Sequence, residues 1–435
     1  MVPLTAALAG LLACHDATLT LGGISEVEEA EEAEPVDPSD YYADPVDCPQ
    51  TVAPGDAEGL ARWPYVQWVT ADAATVAWGG PADSEAAQLM ASRDIAVALE
   101  AVALDAEGQD FEGLEDQPFR LYHARLTDLE PGTEYCYAVT VDGVTLADGL
   151  KLRTAPESVD APVTFMIIGD YGAGTADQLD VRDQIMAHAE GVDVLYTTGD
   201  NAYSDGTWAE FQANVFDVYR ELMTRVVVYP IPGNHDYKTD DAAPYLGNFF
   251  LPEDAIKDED KERYYTADWG PIRFIALDDN DPMLEIRTDN DDDEIDWLTG
   301  VLEENDRPWP IVAFHQPIYS EHESRDPSFL GLAYYLPLIE EHEVPLVLQG
   351  HNHFYERYPP LRGGEVSSLA EGGTVYLTTG GGGRGLYGMK EPELREVGVE
   401  AHHFILGEVQ GCTMTLRAIG VDGEAFDETT LDRCE

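Results

Sequence analysis

Basic residues are scarce in this chain: 24 Lys and Arg stand against 85 Asp and Glu in 435 residues, a formal net charge of −61. So negative a surface repels phosphate backbones and anionic headgroups, which argues against nucleic acid and acidic membrane surfaces as partners. Cysteine is scarce too. The five, Cys14, Cys48, Cys136, Cys412 and Cys434, form no Cys-x-x-Cys pair, which argues against a structural zinc site. No apolar run reaches the length of a membrane span, and no coiled-coil pattern or internal repeat recurs. The acidity reads as a solvated surface suited to a salty or extracellular medium. Its densest run, 289–294 (Asp-Asn-Asp-Asp-Asp-Glu), lacks the glycine and spacing of a calcium loop and leads into helically spaced Ile295, Leu298, Val301 and Leu302. Those acids are expected to cap a helix.

The length exceeds one small core, so two folded domains with tails are expected. Residues 8–14, Leu-Ala-Gly-Leu-Leu-Ala-Cys, are too few to span a bilayer and resemble the lipobox of bacterial lipoproteins, although no Lys or Arg precedes them. That resemblance implies an export signal over 1–14, Cys14 as a lipid-bearing first residue, and attachment at the bacterial cell envelope. Residues 15–61, rich in Glu, Asp, Ala and Pro, read as an acidic disordered tether kept extended by self-repulsion. Four cysteines then allow three connectivities. Cys48 with Cys136 and Cys412 with Cys434 is the favoured pairing, and it suits an oxidising compartment.

From 62 to 156 short strands alternate with turn residues, with a helix only around 83–90, so an all-β sandwich is expected. The alternating run 75–78 turns Trp78 inward. Residues 129–139, Leu-Glu-Pro-Gly-Thr-Glu-Tyr-Cys-Tyr-Ala-Val, resemble the corner and core strand of fibronectin type III domains. Nothing here carries chemistry, which leaves the role of spacer or lid. Beyond 162 strands alternate with helical patterns over 176–189, 209–225 and 332–342, and the chain closes with a hairpin about Gln410-Gly411, so 162–435 reads as α/β.

Five apolar runs in that second region end alike. They lead to Gly169-Asp170, to Gly199-Asp200 with Tyr203 three residues on, to Gly233-Asn234-His235-Asp236, to His315, and to Gly350-His351-Asn352-His353. A sixth strand, 271–278, reads as a member without ligands. Strand ends are where α/β sheets present ligand-binding groups, and glycine before the polar residue permits a sharp turn and a close approach. One Tyr, two Asp, one Asn and three His describe a site for two hard-to-borderline cations.

The blocks GDYG, GDNAY, GNHD, AFH and GHNH, in this order, resemble the calcineurin-like metallophosphoesterases. Tyr203, the fibronectin-like region in front and the Gly380–Gly383 run narrow the likeness to the purple acid phosphatases. The resemblance implies a metallophosphoesterase αββα sandwich behind an all-β fibronectin III-like sandwich. It gives Asp170, Asp200, Tyr203 and His353 to a first ion, Fe(III), and Asp200, Asn234, His315 and His351 to a second, Fe(II), Zn(II) or Mn(II), with Asp200 bridging. It implies that such a pair generates a hydroxide that attacks a small phosphorylated substrate in line. His235 would contact the phosphate, His322 would give a proton to the leaving alkoxide, and Arg384 would bind a phosphate oxygen. Phosphomonoester hydrolysis is the expected activity. Phosphodiester or nucleotide hydrolysis on the same site, and a non-catalytic exported surface protein with this fold, are the alternatives.

Overall fold

The computed structural model describes residues 37–433 apart from 57, 94–96, 101, 104–117 and 281–292. Cys14, the first half of the tether, the start of the acidic run and Cys434, the expected partner of Cys412, therefore lie outside the described residues. Among the described residues, no helix is long and apolar enough to cross a membrane.

The first region builds two four-stranded antiparallel sheets, one containing Arg62–Gln67, Ala74–Pro81 and Phe119–Leu126, the other Ala87–Ser92, Glu134–Val141 and Val144–Arg153. Trp78 is fully buried between them and stacks near Tyr122. The helix expected around 83–90 is not formed. Ala87, Leu89 and Ala91 are buried while Gln88 and Met90 are not, a period of two that pairs Ala87–Ser92 with Glu134–Val141. The tether is also shorter than expected, because from residue 37 the chain docks on this sandwich. Tyr42 donates its hydroxyl proton to Pro162 O (2.8 Å), Val52 N–H donates to Asp148 (2.8 Å), and Cys48 is bonded to Cys136.

Two larger sheets follow. One orders Val227–Tyr229, Val194–Thr197, Val163–Ile168, His403–Gln410, Thr413–Gly420 and Ala425–Asp432, the last a strand that extends the expected hairpin. The other runs from Tyr265–Trp269 through Ile272–Ala276, Trp309–Ala313, Leu346–Gln349 and Val375–Thr379 to Tyr355–Arg357 and Val397–Val399. Strand alternation divides the second sheet's side chains between two cores. Phe274, Ile311 and Leu348 face the first sheet, where Phe274 stacks on Tyr196 at 4.3 Å, whereas Ile275, Val312 and Val347 meet Trp297, Leu298 and Ile339 of the outer helices. Helix Ala176–His188 covers the outer face of the first sheet, completing an αββα stack.

Two expected helices are interrupted. Over 208–223 a capping box at Thr207 and Glu210 starts a short helix, a wide turn over Phe211–Phe216 follows, and helix resumes at Arg220–Met223. Over 331–341 a wide turn, Gly331–Tyr335, runs into Leu336–Glu341, whose Pro337 has no N–H to complete an ordinary helical ladder.

The sandwich is no loosely attached spacer. Buried Arg62 donates to Gln212 (2.8 Å) and Asn248 (2.7 Å), Tyr65 to Asn248 O (2.8 Å) and Tyr137 to Thr224 O (2.6 Å), and one continuous core joins it to the αββα stack. These contacts brace the segments on either side of the Asn234 loop.

The Cys48–Cys136 bridge spans 88 residues and pins residues 37–52 to the sandwich. On chain entropy alone, Cys136→Ser is expected to lower unfolding stability by about 4 kcal/mol, read as a lower denaturant midpoint. An unchanged midpoint would mean that the docked segment is held without it.

Candidate metal centre

Parallel strands Val163–Ile168, Val194–Thr197 and Val227–Tyr229 of one sheet, and Trp309–Ala313 and Leu346–Gln349 of the other, end at one edge of the stack, and the five polar endings meet there. The glycines act chiefly through bulk they lack. A Cβ on Gly233 would stand 2.1 Å from the Asp200 amide nitrogen, and one on Gly169 would stand 1.9 Å from Thr198 Oγ1. The left-handed residues are mostly the polar ones themselves: φ is +56° at Asp170, +51° at Asp200 and +65° at His351. Asp tolerates this region better than most residues, and each turn aims its side chain back across the strand end.

Two groups of atoms converge, with Asp200 in both. In the first, the Tyr203 hydroxyl lies 2.8 Å from Asp170 Oδ1, 2.8 Å from Asp200 Oδ2 and 3.3 Å from His353 Nε2, which is 3.2 Å from Asp170 Oδ1. In the second, His315 Nε2 lies 3.4 Å from Asp200 Oδ1, 3.3 Å from Asn234 Oδ1 and 3.2 Å from His351 Nδ1. His351 and His353 face different groups as expected, but not by strand alternation: the strand stops at Gln349 and the two lie on the turn beyond it.

Donor chemistry and spacing fit a pair of cations. His315 and His353 each direct Nδ1 at a backbone carbonyl, Thr198 O (2.8 Å) and Gly385 O (2.7 Å), which turns Nε2 inward, where the neutral ring offers a lone pair. His315 Nε2 and His351 Nδ1, 3.2 Å apart, cannot both carry protons into that gap. Tetrahedral ligands at ordinary metal–nitrogen distances stand about 3.3 Å from one another, which the second group and the His353 separations of the first match, while the Tyr203 hydroxyl stands closer to its two carboxylates, at 2.8 Å.

The electrostatics favour positive charge. Asp170 and Asp200 are almost wholly buried. Burial opposes ionisation of Asp200, but His315 and His235 outweigh it and hold its pKa well below the usual carboxylate range. Burial opposes charge on His315 as well, yet Asp200, Asp170 and Asp279 keep its pKa up at about 10. Tyr203 is pushed far up by burial and by Asp170 and Asp200, so without a cation it is a phenol donating to both.

Two supporting carboxylates escaped the sequence reading. Asp236, inside the Gly-Asn-His-Asp block, accepts from Gly233 N (2.8 Å), Asn201 Nδ2 (2.9 Å) and the amides of Asn201 and Ala202, tying the Asp200 loop to the Asn234 loop. Burial and the neighbouring Asp200 charge raise its pKa to about 7. Asp279 accepts from the amides of His315 (3.1 Å) and Gln316 (2.7 Å). It follows the strand read as lacking ligands, whose Asp278-Asp279-Asn280 ending repeats the pattern of the others and was the available signal.

The three outer candidates lie at different depths. His235 donates its N–H to Asp200 Oδ1 (2.7 Å), with its ring against Tyr203 (4.4 Å) and Nε2 3.9 Å from Asp200 Oδ2. Arg384 sits over the Tyr203 ring at 5.0 Å, its N–H bonded to Asp170 O. His322 is buried one layer away, edge-on to Tyr387, which stacks on His353. Its Nδ1 accepts from the amides of Ser324 (3.0 Å) and Arg325 (3.1 Å), so the proton is on Nε2, an atom with no partner among the described residues. Burial, with Arg325 beside it, lowers its pKa. A neutral hydrogen-bond donor fits this geometry better than the proton source expected for His322.

Residues 163–355 match the calcineurin-like phosphoesterase family model. An uncharacterized protein of Mycobacterium tuberculosis is 29% identical over 315 residues, 61% of this chain and 58% of that protein. Purple acid phosphatase 1 of Ipomoea batatas is 26% identical over 291 residues, 60% of this chain and 59% of its own length. The chain thus spans less than two thirds of the length of either of these relatives. Among solved structures, a purple acid phosphatase from yellow lupin (Lupinus luteus) seeds superposes with a TM-score of 0.74 over 85% of this chain and 74% of its own, at 19% identity, a likeness of fold. Residues 163–355 thus carry a calcineurin-like phosphoesterase domain, and the chain is similar in sequence and in fold to purple acid phosphatases.

Proposed function

We propose that the protein hydrolyses phosphate monoesters at a binuclear metal centre. The observation that carries this reading is the sharing of Asp200: its two oxygens belong to two separate donor sets, each spaced as ligands of one ion are. Asp170, Tyr203 and His353 with Asp200 would hold the first ion, Fe(III), and Asn234, His315 and His351 with Asp200 the second, Fe(II), Zn(II) or Mn(II). The ions, when bound, would supply Lewis-acid activation of water and of the phosphoryl oxygens.

The chain's own contribution is orientation and charge. The His235 amide fixes one oxygen of Asp200. His235 Nδ1 lies 2.6 Å from Ser204 O, a carbonyl that also accepts from Lys238 Nζ (2.9 Å), so the ring is held with Nε2 towards the place of a phosphate oxygen beside Asp200, which it would bind when protonated. Arg384, braced on Tyr203, would receive another oxygen, and the two cations would neutralise charge that builds on the phosphoryl group. His322 Nε2–H would add a neutral hydrogen bond near the leaving group, whose proton then comes from solvent. Purified protein assayed on matched mono- and diesters tests the substrate class, and a preference for diesters would reverse it. The Cys48–Cys136 bridge suits an oxidising compartment, and with the lipobox-like run it supports an exported protein anchored through Cys14. Cys14→Ser is the variant that would release it from membranes.

Asp200→Ala is expected to lose both ions, since each loses a ligand and their mutual repulsion loses its shared anion. Asn234→Ala is expected to empty mainly the second site, and activity falls by several orders of magnitude in both. Elemental analysis finding two tightly held ions in the Asp200 variant would contradict the bridging role.

Tyr203 predicts colour. A phenolate on ferric iron gives a visible charge-transfer band, so the oxidised protein is expected to be purple. Tyr203→Phe keeps the ring, abolishes the band, weakens retention of the trivalent ion and leaves the fold intact. An iron-containing wild type that stays colourless after mild oxidation, or a Phe variant as coloured as its parent, would remove Tyr203 from the ligand set.

A further inference from the structure

The turn His351-Asn352-His353 carries a candidate ligand for each half of the centre, and its backbone is awkward: His351 is held at φ +65°, a region a histidine seldom occupies. Two residues outside both donor sets grip it. Arg325, on the segment after His322, donates from one guanidinium nitrogen to His351 O (2.6 Å) and Asn352 Oδ1 (3.3 Å), and from the other to the Tyr387 hydroxyl (3.1 Å). Tyr387, just past the glycine run, lies parallel to the His353 ring at 4.0 Å and 14°, and its amide donates to His353 O (3.0 Å). The guanidinium also sits 4.6 Å from the centre of the Tyr387 ring.

We propose that Arg325 and Tyr387 are positioning residues that form a latch over this turn, fixing His351 and His353 together so that retention of one ion depends on retention of the other. The proposal rests on the binuclear reading above. Arg325 bears on the histidine of the second group through its carbonyl, Tyr387 bears on the histidine of the first by stacking, and one hydrogen bond joins the two. Only a planar fork with several donors spans both acceptors; an ammonium supplies a single point of contact. Both terminal guanidinium nitrogens are committed to the turn and to Tyr387, which separates Arg325 from Arg384, whose guanidinium lies over Tyr203 with no acceptor among the described residues. The histidine rings are thereby held by partners beyond the ligands, where loss of a partner commonly weakens metal affinity tenfold to a hundredfold.

The test is release of both ions from purified holoprotein into excess chelator, followed by elemental analysis over time, with melting temperature recorded in parallel. Arg325→Ala is expected to release both ions about tenfold faster or more, and Arg325→Lys to release them as fast as Arg325→Ala. Tyr387→Phe, which keeps the stack and loses the link, is expected to fall between wild type and Arg325→Ala. The double variant is expected to be no faster than Arg325→Ala, because both changes open the same latch. Release at the wild-type rate from Arg325→Ala, restoration by Lys, or effects that multiply in the double variant would each overturn the proposal, as would a lowered melting temperature with unchanged release. A wild type that holds two ions while its variants release them normally rejects the latch alone; a wild type that holds none rejects the binuclear reading beneath it.

Discussion

Two carboxylates buried side by side in a core are a liability unless positive charge compensates them, because each ion removed from water costs several kcal/mol even after relaxation. Asp170 and Asp200 are in that position, almost without exposure, and the rest of the catalytic edge can be read as the answer to it. Backbone amides meet some of the need: His235 N–H binds Asp200 and His351 N–H binds Asp170. The histidines meet more, with His315 drawn towards its charged form by three carboxylates. His351 is pushed the other way by burial, by charge on His315 and by Arg325, so the positive charge is favoured on His315. That compensation is partial, and metal cations bound there would complete it.

The same constraint explains architecture remote from the centre. Strand ends must approach within van der Waals contact for seven side chains to meet, hence the missing side chains at Gly169, Gly199, Gly233 and Gly350. The glycine run continues the pattern: Gly382 donates its N–H to Gly169 O and would clash with it if it bore a Cβ. Behind the centre, Asp236 and Asp279 gather the amides of the Asp200, Asn234 and His315 loops. The β-sandwich braces the outer end of the Asn234 loop through Arg62 and Tyr65, and so belongs to the rigid frame that holds the site.

Much of this was legible in the sequence because strand ends are local features. Five apolar runs ending in Gly and a ligating residue can be recognised one at a time, and their order completes the pattern. Regularities of longer range were harder to read. The apparent helix at 83–90 is a strand whose alternation becomes visible only beside Glu134–Val141. The tether was judged on its composition, yet Tyr42 and Val52 find partners more than ninety residues away. Asp279, Arg325 and Tyr387 escaped because each acts through the backbone or ring of another residue, and nothing in a linear spacing says which carbonyl a guanidinium will find. The family resemblance implies a proton donor at His322, and no linear pattern shows the two amides that hold its Nδ1.

The central claim is that the buried acids, histidines and tyrosine are one site for two ions that share Asp200. Elemental analysis of the protein purified without added chelator addresses it most directly. Two equivalents of transition metal per chain, both removed by chelation and both regained on replenishment with recovery of phosphatase activity, is the expected result. A protein that holds one ion or none, and hydrolyses phosphate esters equally well in the presence of chelator, would contradict the account.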